Sequence, residues 1–335
     1  MRRGMTVLAA LALTGVAVSG CGGRQDAPQA DSGSAVTCEV GFDTRVSIAT
    51  GNSTGVYFSL GNAYAEQISA ATDGKVKATA AETGASVQNI KQLVGGAYQV
   101  AFSLADTAAD AVAGKGSFDG NKQPVQALSR IYSNYTQVIA RSGSGITSIA
   151  DMRGKRVSTG SPGSGTEVIA NRLLQAAGLD GQTDVAAQRL DLTKTVDGMK
   201  DGSIDALFWS GGLPTPGITD LITGVGNDVV FIDITPQLAK MQELSPVYEE
   251  GVIPAATYGL PADVKTIVVP NLLLVRDDVD ANLACVLTRT LFDRKPQLEQ
   301  AVGAAKGISL DTARDTAPVP LNRGAQYALD ALKAK

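Results

Sequence analysis

Histidine does not occur once in the 335 residues. That removes the side chain that titrates near neutral pH and the commonest metal ligand. A serine–histidine–aspartate hydrolase and a histidine-held metal centre are both excluded. Aromatic residues amount to 5% and the net charge is −4, so the chain offers no basic, ring-studded surface for nucleic acid. The apolar run at residues 7–18 is too short to cross a bilayer, which takes about 20 residues. What is present is 44% apolar and 19% charged, a foldable composition, in a chain long enough for two domains of ordinary size. Glycine is plentiful, and much of it falls in loops.

The first 20 residues have the layout of an export signal: Arg2 and Arg3, the apolar core, then Val18-Ser19-Gly20-Cys21. Small residues before a cysteine are the pattern of a lipoprotein cleavage site. The expectation is that residues 1–20 are removed and Cys21 carries lipid, anchoring the protein to the outer face of the cell membrane. Residues 21–43 read as a flexible tether, because 22–34 is rich in Gly, Ser, Ala, Asp and Gln and without periodicity. Export permits a disulfide. Whether Cys38 and Cys285 form one stays open, because Cys285 also suits a buried free thiol in an apolar helix.

Strand and helix patterns then alternate. Strands are expected at 46–49, 75–81, 100–103, 156–158, 186–190, 206–209 and 229–232. Helices are expected at 55–71, 86–94, 105–112, 166–177, 192–201, 219–224, 236–244, 280–292, 295–301, 310–315 and 324–335. Such βα order predicts an α/β chain with an open, mainly parallel sheet. Residues 125–141 read as a strand pair broken near Ser133-Asn134-Tyr135. Residues 264–275, almost wholly apolar, read as a buried return strand with Pro270 at a bulge or boundary. These two stretches divide the chain into lobe 1 (44–140 and 266–335) and an inserted lobe 2 (141–265).

Two strand–loop–helix junctions carry the chemistry. At the first, Val46 to Ala49 breaks into Thr50-Gly51-Asn52-Ser53-Thr54-Gly55, and a helix follows with Tyr57 in its first turn. At the second, Arg156-Val157-Ser158-Thr159 leads into Gly160-Ser161-Pro162-Gly163-Ser164-Gly165-Thr166 and a helix. Free N–H groups and the positive dipole end of such helices suit an anion, above all a carboxylate. The second loop lacks the lysine of a nucleotide-binding Walker motif, with Gly165 in its place. Gly165 is expected to sit at positive φ where backbone must approach closely. Neither loop holds Lys or Arg; Arg130 and Arg141, which flank the crossing strand, are the best cationic candidates, though each is better suited to solvated surface.

Several of these runs resemble the motifs of the TAXI proteins, the extracytoplasmic solute receptors of tripartite ATP-independent periplasmic (TRAP) transporters. The resemblance rests on Ala49-Thr50-Gly51, Gly55-Val56-Tyr57, Leu60-Gly61, Thr83-Gly84-Ala85-Ser86-Val87, Val100-Ala101-Phe102 and Gly154-Lys155-Arg156-Val157-Ser158. It extends through Gly160-Ser161-Pro162-Gly163-Ser164-Gly165-Thr166-Glu167, Asp201-Gly202-Ser203-Ile204-Asp205-Ala206 and Ile253-Pro254-Ala255-Ala256-Thr257-Tyr258. It implies a type II periplasmic-binding-protein fold: two α/β lobes, a hinge, and a ligand in the cleft. It also implies a small carboxylate or amino-acid ligand, glutamate-like, delivered to TRAP membrane subunits. The chain departs at Leu104, where many relatives have Gln two residues before the aspartate matching Asp106.

The expected ligand-binding residues are Thr50, Gly51, Ser53, Thr54, Gly55, Tyr57, Ser86, Ser103, Ser161, Ser164, Gly165, Thr166, Trp209 and Gly211. No catalytic residue, metal or cofactor is expected. The competing readings are a receptor for a different transporter or sensor, and a Ser/Lys-type hydrolase.

Overall fold

The computed structural model describes residues 35–41 and 43–334. Cys21 and most of the expected signal and tether lie outside them. The chain runs β1 (Thr44–Ala49), α1 (Val56–Ala71), β2 (Val76–Ala81), α2 (Ser86–Val94), β3 (Val100–Leu104), α3 (Ala105–Ala113), β4 (Val125–Arg141) and β5 (Arg156–Ser158). It continues α4 (Gly165–Ala176), β6 (Ala186–Gln188), α5 (Leu192–Asp201), β7 (Ala206–Gly211), α6 (Pro216–Val225), β8 (Val229–Phe231), α7 (Leu238–Leu244) and β9 (Glu249–Ile253). Last come α8 (Ala255–Tyr258), β10 (Val264–Arg276), α9 (Ala281–Asp293), α10 (Lys295–Ala301) and α11 (Arg323–Lys333).

All 10 strands join one sheet, in the order β2-β1-β3-β10-β4-β7-β5-β6, with β8 added to β4 and β9 to β10. The outer pairs β1–β2, β1–β3, β5–β6 and β5–β7 are parallel, as βαβ crossovers require. The two long central strands are antiparallel to their neighbours. β4 pairs β10 over residues 125–135 and β7 over 135–140. β10 pairs β3 over 271–274 and β9 over 264–268. Both strands therefore run from one end of the sheet into the other. Residues 266–275 are buried throughout, which is why this stretch has no polar alternation.

Two expectations need correction, and two short elements had no expectation. Residues 125–141 form one unbroken strand, because Ser133, Asn134 and Tyr135 all stay paired to β10. Residues 310–315 form no helix: 310–314 are a turn, and the Ala313 carbonyl accepts the Arg130 N–H of β4 at 3.0 Å. β9 and α8, of five and four residues, are too short to be read from periodicity.

The register of β4 slips against β10 between Pro270 and Leu272: Pro270 faces Ser133, but Leu272 faces Arg130. Ile131 and Tyr132 together oppose Asn271, a β-bulge on β4 beside Pro270. The Asn271 amide closes the gap by donating to the Tyr132 carbonyl at 3.0 Å.

Thr37 and Cys38, ahead of β1, are fastened to α9. Cys38 and Cys285 form a disulfide, and the Asn282 side chain accepts the Thr37 N–H at 2.7 Å. The question the sequence left open is answered because α9 lies beside the entry to β1.

Candidate functional site

β5 and β7 run opposite to β1, β2 and β3, and the C-terminal ends of the two sets face each other, the strand ends at which open α/β folds place their ligands. A cavity of about 30 Å³ lies there, walled by the loops entering α1, α2 and α4 and by Trp209 to Gly212.

The N-termini of α1 and α2 face this space unfilled. α1 is preceded by Gly55 and α2 by Ala85, and neither helix has a side-chain cap. Their first N–H groups are open to an acceptor, apart from the Gln88 N–H of α2, which donates to the Gly163 carbonyl. Ser86 is the first residue of α2, and its Oγ accepts the Leu104 N–H at 3.1 Å. Ala85 holds a φ of +71°. That conformation costs a non-glycine residue roughly 1–3 kcal/mol, and the Ala85 N–H to Thr83 Oγ1 bond at 3.1 Å helps to hold it.

The mouth of α4 is different. Ser164 caps it, accepting the Glu167 N–H at 3.0 Å. The Glu167 carboxylate accepts the Gly163 N–H at 2.8 Å and pairs with Arg189. This helix start already has its own anion. The positive φ values in its loop belong to Gly160 and Gly163, not to Gly165. Gly165 is required for space: a Cβ there would lie 2.5 Å from Leu104 Cδ1 and 2.7 Å from Ser86 Oγ.

The walls touch across the cleft. Asn52 Nδ2 donates to Ser161 Oγ at 3.3 Å, and the Leu192 N–H donates to Asn52 Oδ1 at 3.1 Å. The Gln88 N–H donates to the Gly163 carbonyl at 3.1 Å, and the Gly217 N–H to the Thr54 carbonyl at 3.2 Å.

Gly51, Gly55, Tyr57, Ser86, Ser161, Ser164, Gly165, Thr166, Trp209 and Gly211 all line the cavity. Thr50, Ser53, Thr54 and Ser103 do not. Thr50 is fully buried and donates to the Ala81 carbonyl at 2.6 Å. Ser53 faces out, its N–H on Glu82. Thr54 meets Thr193 at 3.4 Å, and Ser103 turns back to the Leu104 carbonyl at 3.0 Å. Gly51-x-Ser53-x-Gly55 has the spacing of a hydrolase elbow, but the chain has no histidine to activate Ser53. Arg130 and Arg141 are not in the wall; Arg141 Nη1 donates to the Met199 carbonyl at 2.6 Å.

Tyr57 does not offer its phenol to the cavity. Its Oη donates to Asn271 Oδ1 at 2.6 Å, and its ring stacks at a tilt on Phe102. Trp209 contributes ring surface; its Nε1 donates to Thr215 Oγ1 at 3.1 Å. The sequence reading missed Asn52, Val56, Gly84, Ala85, Tyr132, Asn134, Ser210 and Gly212. Tyr132 and Asn134 lie in the long apolar run of β4, and only the bulge and the crossing show that this part of the strand meets the site. Leu104, noted for its departure, is in the wall. Among the described residues no Lys, Arg, Asp or Glu lines the cavity. Among them, too, no acidic or thiol cluster is arranged to hold a metal ion.

Solved structures share this architecture. A protein of Bordetella bronchiseptica RB50 is similar at a TM-score of 0.56 and 17% identity, over 87% of this chain and 98% of that one. A binding protein component of an ABC phosphonate transporter from Pseudomonas aeruginosa is similar at a TM-score of 0.53 and 13% identity. That match covers 87% of this chain and 96% of the other. The fold is the two-lobed α/β fold of type II periplasmic binding proteins. The model of the NMT1-like family matches residues 48–329, and the chain belongs to that family.

Proposed function

We propose that this protein is an extracytoplasmic solute receptor that captures a small carboxylate and delivers it to membrane subunits of a transporter. The observation that carries the reading is the pair of uncapped helix N-termini, α1 and α2, opening on one cavity beneath loops that touch across the cleft. A carboxylate satisfies several such N–H groups at once, each charge-assisted bond contributing about 1.5–3 kcal/mol. Residues 44–140 with 266–335 form one lobe and 141–265 the other, with β4 and β10 as the hinge. The fold and the absence of histidine favour binding without turnover.

The finer reading follows the motifs: a TAXI receptor, held by lipid on Cys21 after loss of residues 1–20 and serving TRAP subunits driven by an ion gradient. Glutamate-like compounds are the first ligands to test. The phosphonate-transporter neighbour supports a second partner, an ATP-driven one. Uptake into vesicles with the ion gradient collapsed but ATP present separates the two. Calorimetry against amino acids, mono- and dicarboxylates and sugars tests the ligand class. Micromolar binding of a carboxylate is expected; tight binding of a neutral sugar alone would overturn the proposal.

A further inference from the structure

Tyr132 lines the cavity, is 3% exposed, and its hydroxyl has no hydrogen-bond partner among the described residues. It stands on the β4 bulge opposite Asn271, whose side chain is spent on the Tyr132 carbonyl and on Tyr57 Oη. Burial keeps both phenols neutral. An orphaned buried hydroxyl costs free energy unless something fills it. The other polar side chains of the wall each have a partner within the protein: Asn134 with Ser210, Asn52 with Ser161 and Leu192, Thr166 with the Ser210 N–H at 3.2 Å, Ser86 with the Leu104 N–H and Ser164 with the Glu167 N–H.

Charge narrows the ligand further. Among the described residues no carboxylate is in the wall to receive an ammonium, so an α-amino group would be desolvated without a counter-charge. Asp106, two residues beyond Leu104, is taken by Arg172 at 3.0 Å. No cation of the described residues is there for a second carboxylate, and Glu167 already fills the mouth of α4. One anion seat remains, at α1 and α2. Val56, Leu104 and the Trp209 ring supply the apolar wall around it.

We infer that the ligand is a small monocarboxylate with an apolar body and a neutral oxygen, oxo or hydroxyl, which hydrogen-bonds Tyr132 Oη. This rests on the proposed receptor role and narrows its ligand class, away from glutamate and dicarboxylates. A branched 2-oxo acid is a suitable probe: its carboxylate takes the helix ends, its oxo group Tyr132, and its alkyl group the apolar wall.

Calorimetry on the wild type and Tyr132→Phe with 2-oxoisovalerate, isovalerate, L-valine, L-glutamate and 2-oxoglutarate tests the inference. In the wild type 2-oxoisovalerate is expected to bind at least about 100-fold tighter than L-valine, and tighter than L-glutamate and 2-oxoglutarate. Tyr132→Phe is expected to weaken 2-oxoisovalerate about tenfold or more and leave isovalerate unchanged. Its melting temperature should stay near the wild-type value, since no internal bond is lost. L-valine or L-glutamate binding as tightly as 2-oxoisovalerate overturns the inference and leaves the receptor role standing. Equal weakening of isovalerate and 2-oxoisovalerate in Tyr132→Phe also overturns it. Binding of none of the five overturns both.

Discussion

Arg172 on α4 reaches Asp106 on α3, with Nη1 3.0 Å from Oδ2, and so joins helices from opposite sides of the crossing strands. The same guanidinium donates to Asp110 Oδ2 at 2.6 Å and to Tyr248 Oη at 3.0 Å. Tyr248 Oη in turn donates to Asp106, and the Thr107 N–H donates to its other oxygen at 2.7 Å. Desolvation pushes the Asp110 carboxyl above its usual range, against the pull of Arg172. Arg172→Met would leave a buried carboxylate without its cation, a loss of about 3–5 kcal/mol. Urea unfolding should show it, and Asp106→Asn in the same chain should restore part of the loss. A single-variant loss below about 1 kcal/mol would mean the pair is solvated and weak.

Asn52 fastens the cleft from the first loop, through Ser161 on one side and the Leu192 N–H on the other. Neither partner lies on its own side of the sheet. Asn52→Ala removes both bonds, worth about 1 kcal/mol each. The closed form should lose population, and ligand affinity should fall about 5–30-fold with it. Small-angle scattering of the ligand-free protein should show a larger radius of gyration than the wild type. An unchanged radius and affinity would show that these contacts do not govern closure.

Gly165 faces Leu104 and Ser86 across the cleft, and its backbone is helical. Gly165→Val therefore acts by wedging the walls apart, not by backbone strain. Affinity is expected to drop at least about tenfold, or 1.4 kcal/mol, and ligand-induced compaction should vanish. Gly165→Ala places only the Cβ and should fall between. A Gly165→Val protein that binds and closes like the parent would refute the assignment of this contact to the closed site.

Without histidine the chain has no side chain that ordinarily titrates between about pH 5.5 and 8. Asp151, Asp201 and Asp205 have lowered pKa values, held down by bonds from Thr147, from Ser203 and from Arg156 respectively. A carboxyl lowered in the folded state contributes stability above its unfolded pKa, about 3.9. That contribution is lost as pH falls through the lowered folded values. Asp110, raised by burial, opposes the trend. The melting temperature is expected to be flat from about pH 8 to 5.5 and to fall below about pH 4. A drop of more than about 5 °C between pH 8 and 5.5 would show a buried group titrating there.

The α/β alternation was legible because helical and extended periodicities differ and each βα unit states its own pattern. The loops at Gly51 and Gly165 were legible for the same local reason: a strand end, small residues and a helix start are consecutive in the chain. The small-residue loop also shows its lack of lysine without any structure. What was not legible depends on register and on which faces meet. Nothing local separates Thr50 from Gly51, yet one is sealed against Ala81 and the other lines the cavity. Tyr132 reads as one more apolar residue of β4 until a two-for-one mismatch against Asn271 is seen. The two loops look equivalent as sequences, and Glu167 belongs to the motif itself. Only folding shows that its carboxylate turns back to fill the Gly163 N–H, while Gly55 and Ala85 leave α1 and α2 uncapped. Periodicity depends on neighbours in the chain, whereas a shared cavity depends on residues as far apart in it as Gly51 and Gly212.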